Sequence, residues 1–177
     1  VHVAAQHNST ETLELLLQAK ADPNMAKKDN VTPLWLCAYY NNRECMSVLL
    51  RHGADVNILG DNRSPVFIAS HKNKLDCLKM LLAAKAEPDI PWSTCGWTPF
   101  IMAAGAGFCE ILKVLHSAGA SPDIASTQLF EYFGKMFPPG TTARDVATAT
   151  RKTTVLELLD SGFTDPPTTT TELENER

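Results

Sequence analysis

Three things are missing from this sequence: a long apolar run, a paired-cysteine motif and an excess of positive charge. A bilayer-spanning helix needs about 20 consecutive apolar residues, so the first absence predicts no membrane segment. No signal peptide is visible, and Val1 falls inside a repeating unit, so the chain reads as a fragment of a longer protein. The five cysteines, Cys37, Cys45, Cys77, Cys95 and Cys109, are odd in number and none forms a Cys-X-X-Cys pair. That argues against a disulfide framework and a zinc knuckle, and for reduced thiols in the cytoplasm or nucleus. Lys plus Arg total 16 against 20 Asp plus Glu, a formal net charge of −4, so no basic stripe invites nucleic acid. Catalytic signatures are missing too. His2, His7, His52, His71 and His116 lie at unrelated phases without His-X-X-X-His spacing, and no P-loop or nucleophile elbow occurs. Gly105-Ala-Gly107 resembles the start of a dinucleotide fingerprint, but Glu110 stands where its third glycine belongs. The expectation is therefore no catalytic residue, no cofactor and no metal.

What is present is a beat. Hydrophobic residues make up 44% of the 177, enough for a continuous core. Ala19-Lys-Ala-Asp-Pro-Asn24, His52-Gly-Ala-Asp-Val-Asn57, Ala84-Lys-Ala-Glu-Pro-Asp89 and Ala118-Gly-Ala-Ser-Pro-Asp123 recur at spacings of 33, 32 and 34. A second motif, Thr32-Pro-Leu, Ser64-Pro-Val and Thr98-Pro-Phe, keeps the same period. Thr or Ser caps a helix start and Pro is tolerated at the first helical position. A short first helix such as Thr32 to Tyr40 then precedes a second, Asn42 to Arg51, which buries Val48, Leu49 and Leu50. Gly53 suits the left-handed position that follows. One such unit cannot cover its own apolar face, so neighbours must stack on it.

This pattern, Thr-Pro-Leu followed by Leu-Leu and Gly-Ala-Asp-Val-Asn, resembles the ankyrin repeat. The resemblance implies an all-α solenoid of stacked helix-turn-helix units with hairpin loops. Its repeats are approximately 1–30, 31–63, 64–96, 97–124 and a divergent 142–163, forming a domain over 1–163 with an insertion at 125–141. The family usually has His after Thr-Pro-Leu. Here only His2 fits, and Trp35, Phe67, Ile101 and Asp145 stand at the other positions, so aromatic and aliphatic packing should replace a polar inter-repeat network. Lys20 and Lys85 stand where Gly usually ends the second helix, which predicts positive φ at a lysine.

The resemblance also assigns the variable contact positions on a concave face. First-helix pairs are Gln6 and His7, Tyr39 and Tyr40, His71 and Lys72, Gly105 and Ala106. Hairpin positions are Lys28, Asp29 and Val31, then Asp61 and Arg63, then Thr94, Cys95 and Trp97, with Trp92 near the same tip. Of these, the expected partner-binding set is Tyr39, Tyr40, His71, Lys72, Asp61, Arg63, Trp92, Trp97, Gly105 and Ala106, with Gly105 and Ala106 as a shallow floor. Trp97 is balanced between exposure and packing on a neighbouring hairpin. Cys45 and Cys77 share one repeat phase and should be core, whereas Cys95 is expected to be exposed. Asn57 is expected to be a hydrogen-bonded loop residue, although the family pattern also admits hydroxylation there.

The insertion is rich in apolar side chains. Leu129, Phe133 and Met136 share a face at helical spacing, which predicts a short helix folded over the hairpin edge. The alternative is a partner anchor, with Phe130, Phe133 and Phe137 as a secondary contact set. Residues 164–177, with Pro166-Pro167 and a threonine run, read as a linker or extended tail. The functional expectation is a monomeric, non-enzymatic scaffold that binds another protein or peptide and neither nucleic acid nor membrane. The alternative is a regulatory ankyrin domain acting in cis on a larger enzyme or channel.

Overall fold

The computed structural model describes residues 1–163, so the tail expected over 164–177 lies outside the described residues. Helices dominate, in pairs: α1 (His2–Gln6) and α2 (Thr10–Gln18), α3 (Pro33–Tyr40) and α4 (Arg43–Arg51), α5 (Pro65–His71) and α6 (Leu75–Ala83), α7 (Pro99–Ala106) and α8 (Cys109–Ser117), α9 (Ala143–Ala149) and α10 (Thr153–Asp160). The local chemistry sets their ends. The Thr32, Ser64 and Thr98 hydroxyls accept the backbone N–H of Trp35, Phe67 and Ile101 at 3.2, 3.0 and 3.2 Å, with Pro at the next position. Thr142 caps α9 in the same way, and Asp145 returns the bond to the Thr142 N–H at 2.8 Å.

Left-handed residues punctuate every pair. Asn8, Asn41, Asn73, Gly107 and Arg151 follow the first helices, and Lys20, Gly53, Lys85, Gly119 and Gly162 follow the second. Lys85 sits at φ 66, as its place in the repeat predicts. Lys85→Gly should therefore raise stability by about 1 kcal/mol, because Gly adopts this conformation without a Cβ penalty. A denaturation midpoint that is unchanged or lower would show that the lysine stem supplies a compensating contact.

The pairs pack in order. Each first helix lies on the next (α1 on α3, α3 on α5, α5 on α7, α7 on α9), and the second helices follow the same sequence from α2 to α10. Leu34, Cys37, Cys45, Leu49, Ile68, Cys77, Leu81, Ile101, Leu115 and Val155 form part of the continuous core between the rows. Cys45 and Cys77 are core residues as expected, and burial pushes the Cys77 thiol up to about 11. Trp35, Phe67 and Ile101, at the family's histidine positions, are buried, and Trp35 lies so close to Gly60 that a Cβ there would fall 2.8 Å from its ring. A polar tie also links the loops. Asn24 Oδ1 accepts the Asp55 N–H at 2.8 Å, Asn57 Oδ1 accepts the Glu87 N–H at 3.0 Å, and Asp89 accepts the Ser121 N–H at 3.1 Å. The closing Asn or Asp of the first three motifs thus holds the next loop, and Asn57 is the hydrogen-bonded residue it was expected to be.

The insertion departs from expectation. It contains no helix: β1 (Phe130–Tyr132) pairs antiparallel with β2 (Lys135–Phe137), Phe130 opposite Phe137. The fold is therefore mostly helical rather than all-α. The two-residue turn Phe133-Gly134 has φ of 50 and 69, both positive, the turn geometry that matches the twist of paired strands. Alternation decides the faces. Phe130 and Tyr132 pack on the core while Glu131 is exposed, and Leu129, Phe133 and Met136, expected to share a packed face, are all exposed.

Candidate functional site

The ends of the first helices and the loops before them gather most of the expected contact residues. Tyr39 and Tyr40 close α3. The Tyr39 ring stacks on Trp35 with centroids 5.4 Å apart, and Tyr40, 46% exposed, meets Tyr39 edge-on at 4.9 Å. Lys72, just after α5, places its ammonium 5.0 Å from the Tyr39 ring centroid, so α3 and α5 are joined by a cation–π contact. In the loop between α4 and α5, Arg63 forms an ion pair with Asp61, and its guanidinium lies 5.2 Å from the Trp92 ring centroid. The Asp61 N–H donates to the Asp29 carbonyl at 2.8 Å, which ties two successive loops. Trp92 is half-buried between Phe67 and Phe130, at centroid distances of 6.0 and 5.1 Å.

The electrostatics follow from this crowding. Burial lowers the Arg63 pKa, and burial followed by the Lys72 and Arg63 charges lowers that of His71. Arg63 Nε and His71 Nδ1 are buried without a hydrogen-bond partner. A rigid aromatic surface with two cations held against its rings suits recognition of a partner surface. Among the described residues no cluster of three His, Cys, Asp or Glu side chains is placed to hold a metal ion, and no helix is long and apolar enough to cross a membrane.

Four expectations need correction. Trp97 is 0% exposed, enclosed by Phe130, Tyr132 and Phe137 at centroid distances of 4.9, 5.2 and 5.5 Å, so it is core and offers no contact surface. Gly105 is also buried: a Cβ there would lie 2.6 Å from Val146 Cγ1 and 2.9 Å from the Tyr132 ring. The floor expected at Gly105 is filled by the chain's own hairpin, leaving Ala106 at its partly exposed rim. Phe137 is buried and Phe130 is half-buried between the two tryptophans, so of the secondary set only Phe133, 70% exposed, faces outward. Cys95 is buried and its thiol pKa is raised by that burial, whereas Cys109 is the partly exposed cysteine.

One part of this face was not expected from the repeat motifs. Lys135, Arg151 and Lys152, with Phe133, Ala149 and Thr150, line an open pocket of about 420 Å³. Ala149, the last residue of α9, and Thr150 directly precede the left-handed Arg151, as Tyr39 and Tyr40 directly precede the left-handed Asn41. Carrying the contact phase into the divergent fifth repeat would have found them.

Comparison with known proteins agrees with the repeat reading. A family pattern of three ankyrin repeats matches residues 1–91, and a single ankyrin-repeat pattern matches residues 95–127. A human protein, transient receptor potential cation channel subfamily A member 1, is 36% identical over 63 residues, 35% of this chain and 6% of its own length. A putative ankyrin repeat protein of fowlpox virus (strain NVSL) is 40% identical over 52 residues, 29% of this chain and 28% of its own length. The chain therefore aligns with less than a third of either relative.

Proposed function

We propose that this chain, which belongs to the ankyrin-repeat family, is a non-enzymatic scaffold that binds another protein or a peptide through the first-helix ends and loops of its stacked repeats. Ankyrin repeats are protein-interaction modules, and such proteins are generally without catalysis of their own. The mechanism is preorganisation: a solenoid held by neighbour contacts presents a fixed surface, so little conformational entropy is lost on association. The observation that carries this reading is the Tyr40–Tyr39–Lys72 group, in which an exposed tyrosine is braced by a ring and that ring by a cation. Tyr39→Ala combined with Tyr40→Ala should weaken capture of the partner by about thirtyfold or more, the equivalent of about 2 kcal/mol for a hot spot, with an unchanged helical spectrum. Binding retained within about twofold, on that same hot-spot scale, rejects this surface.

A second reading is favoured by the similarity to part of a cation channel subunit. Here the module would act in cis, as a regulatory ankyrin domain of a larger enzyme or channel. The open reading frame around these residues decides between the two. A catalytic or membrane-spanning segment in it supports action in cis, and its absence supports the stand-alone scaffold.

A further inference from the structure

We infer that the first-helix ends of repeats three to five form a face for an acidic, extended peptide segment that also carries aromatic side chains. The inference rests on the scaffold reading and specifies the chemistry of its partner.

Charge is segregated across the repeats. α1, α3, α5 and α7 contain no Asp or Glu, and the one acid of α9, Asp145, is tied to the Thr142 N–H at the opposite end of that helix from Ala149. The second helices, by contrast, carry Glu11, Glu14, Glu44, Asp76, Glu110, Glu157 and Asp160. The arginines beside those acids are neutralised: Arg43 pairs with Asp76, Arg51 with Glu14 and Arg144 with Asp160. On the first-helix ends the cations have no such partners. Lys72 rests on the Tyr39 ring, Lys135 donates to the Ala149 carbonyl, and Lys152 runs past Gly107. Neither these three nor Arg151 makes an ion pair with a carboxylate among the described residues.

The geometry gives these cations a common purpose. Three of them line the open pocket beside α9 together with the Phe133 ring, and no acid lines it. A carboxylate entering there meets the Arg151 guanidinium and the two ammonium groups, while the aliphatic part of its side chain lies on Phe133. α7 packs on both α5 and α9, so Lys72 belongs to the same row of helix ends as Lys152. Its neighbour Tyr39 suits an aromatic side chain of the same peptide. A short peptide fits better than a nucleic acid, because the cationic patch is local and the chain as a whole carries a net charge of −4, which opposes a polyanion longer than the patch.

The test uses the full chain and a fluorescein-labelled peptide of Glu-Glu-Tyr units repeated end to end, followed by anisotropy. A Gln-Gln-Tyr peptide and a deoxythymidylate oligomer of similar length serve as comparisons. The acidic peptide should bind, weaken with salt, and lose about tenfold or more in affinity with Lys72→Glu combined with Arg151→Glu, at unchanged helicity. If that variant misfolds, Lys72→Gln with Arg151→Gln carries the same readout, with a smaller loss expected. No binding of the acidic peptide, equal binding of the glutamine peptide, tighter binding of the oligonucleotide, or charge variants that bind like the parent would each overturn the inference. If the tyrosine double variant still loses its captured partner in any of those cases, the scaffold reading stands and only this specification fails.

Discussion

Trp97→Ala should lower the stability of the domain by about 3–5 kcal/mol, the range for removing a buried tryptophan. Trp97 is one of the largest fully buried side chains, and three rings of the insertion close around it. Its indole N–H is buried without a partner, so the loss is one of packing and not of a hydrogen bond. The surroundings can relax only by moving the hairpin, because Phe130, Tyr132 and Phe137 all belong to it. A hairpin loosened in this way uncovers Gly105 and exposes the insertion to proteolysis. Denaturant unfolding checks the magnitude, and limited proteolysis with mass mapping checks the place. A loss of no more than about 1 kcal/mol, well below the expected packing term, would mean that the insertion only rests on the repeats.

Gly96→Ala should cost about 2–4 kcal/mol, through two additive causes: backbone strain and overpacking. The residue has φ +75, where a Cβ costs about 1 kcal/mol. That Cβ would also fall 2.2 Å from Thr127 Oγ1 and 2.7 Å from the Thr127 backbone nitrogen. The hydroxyl can rotate away, but the nitrogen is held by its hydrogen bond to the Cys95 carbonyl at 3.3 Å, so the base of the insertion must shift. Overpacking of this kind adds about 1–3 kcal/mol. Gly119 is the internal control, with φ +90 and nothing within 4 Å of the place a Cβ would occupy, so Gly119→Ala should cost only the conformational part, about 1 kcal/mol. Equal losses at the two glycines in parallel denaturant titrations would remove the steric argument.

Trp97 and Gly96 both pack on the insertion, the part of the fold least legible in the sequence. The repeats were legible because capping chemistry and left-handed positions recur with a fixed period. Thr32, Ser64, Thr98 and Thr142 cap helices as their spacing implies, and Lys20 and Lys85 take the positive φ that their place demands. In the insertion, two periodicities overlap. Leu129, Phe133 and Met136 repeat at helical spacing, while Phe130 and Tyr132 alternate around Glu131 at strand spacing. Gly134 was the arbiter, since a glycine in the middle of a short helix disfavours it and a glycine closing a two-residue turn favours a hairpin.

The candidate face was legible in part for a related reason. Repeat phase located Tyr39, Tyr40, Lys72 and Arg63, because those positions depend only on the repeat itself. It misplaced Trp97 and Gly105, whose exposure depends on a hairpin that regular repeats lack. The loop ties at Asn24, Asn57 and Asp89 carried a periodic signal as well, but their link to the following repeat shows only when the units are stacked.

Each repeat is held by its immediate neighbours, so the face of first-helix ends is as stiff as the contacts from one unit to the next. Native-state hydrogen exchange of the Trp97→Ala variant against the parent tests this directly. Protection should fall most in the insertion, α7 and α9, less in α5 and α6, and least in α1 and α2. A uniform loss of protection from α1 to α10 would contradict the account, because it would mean that distant units share one core.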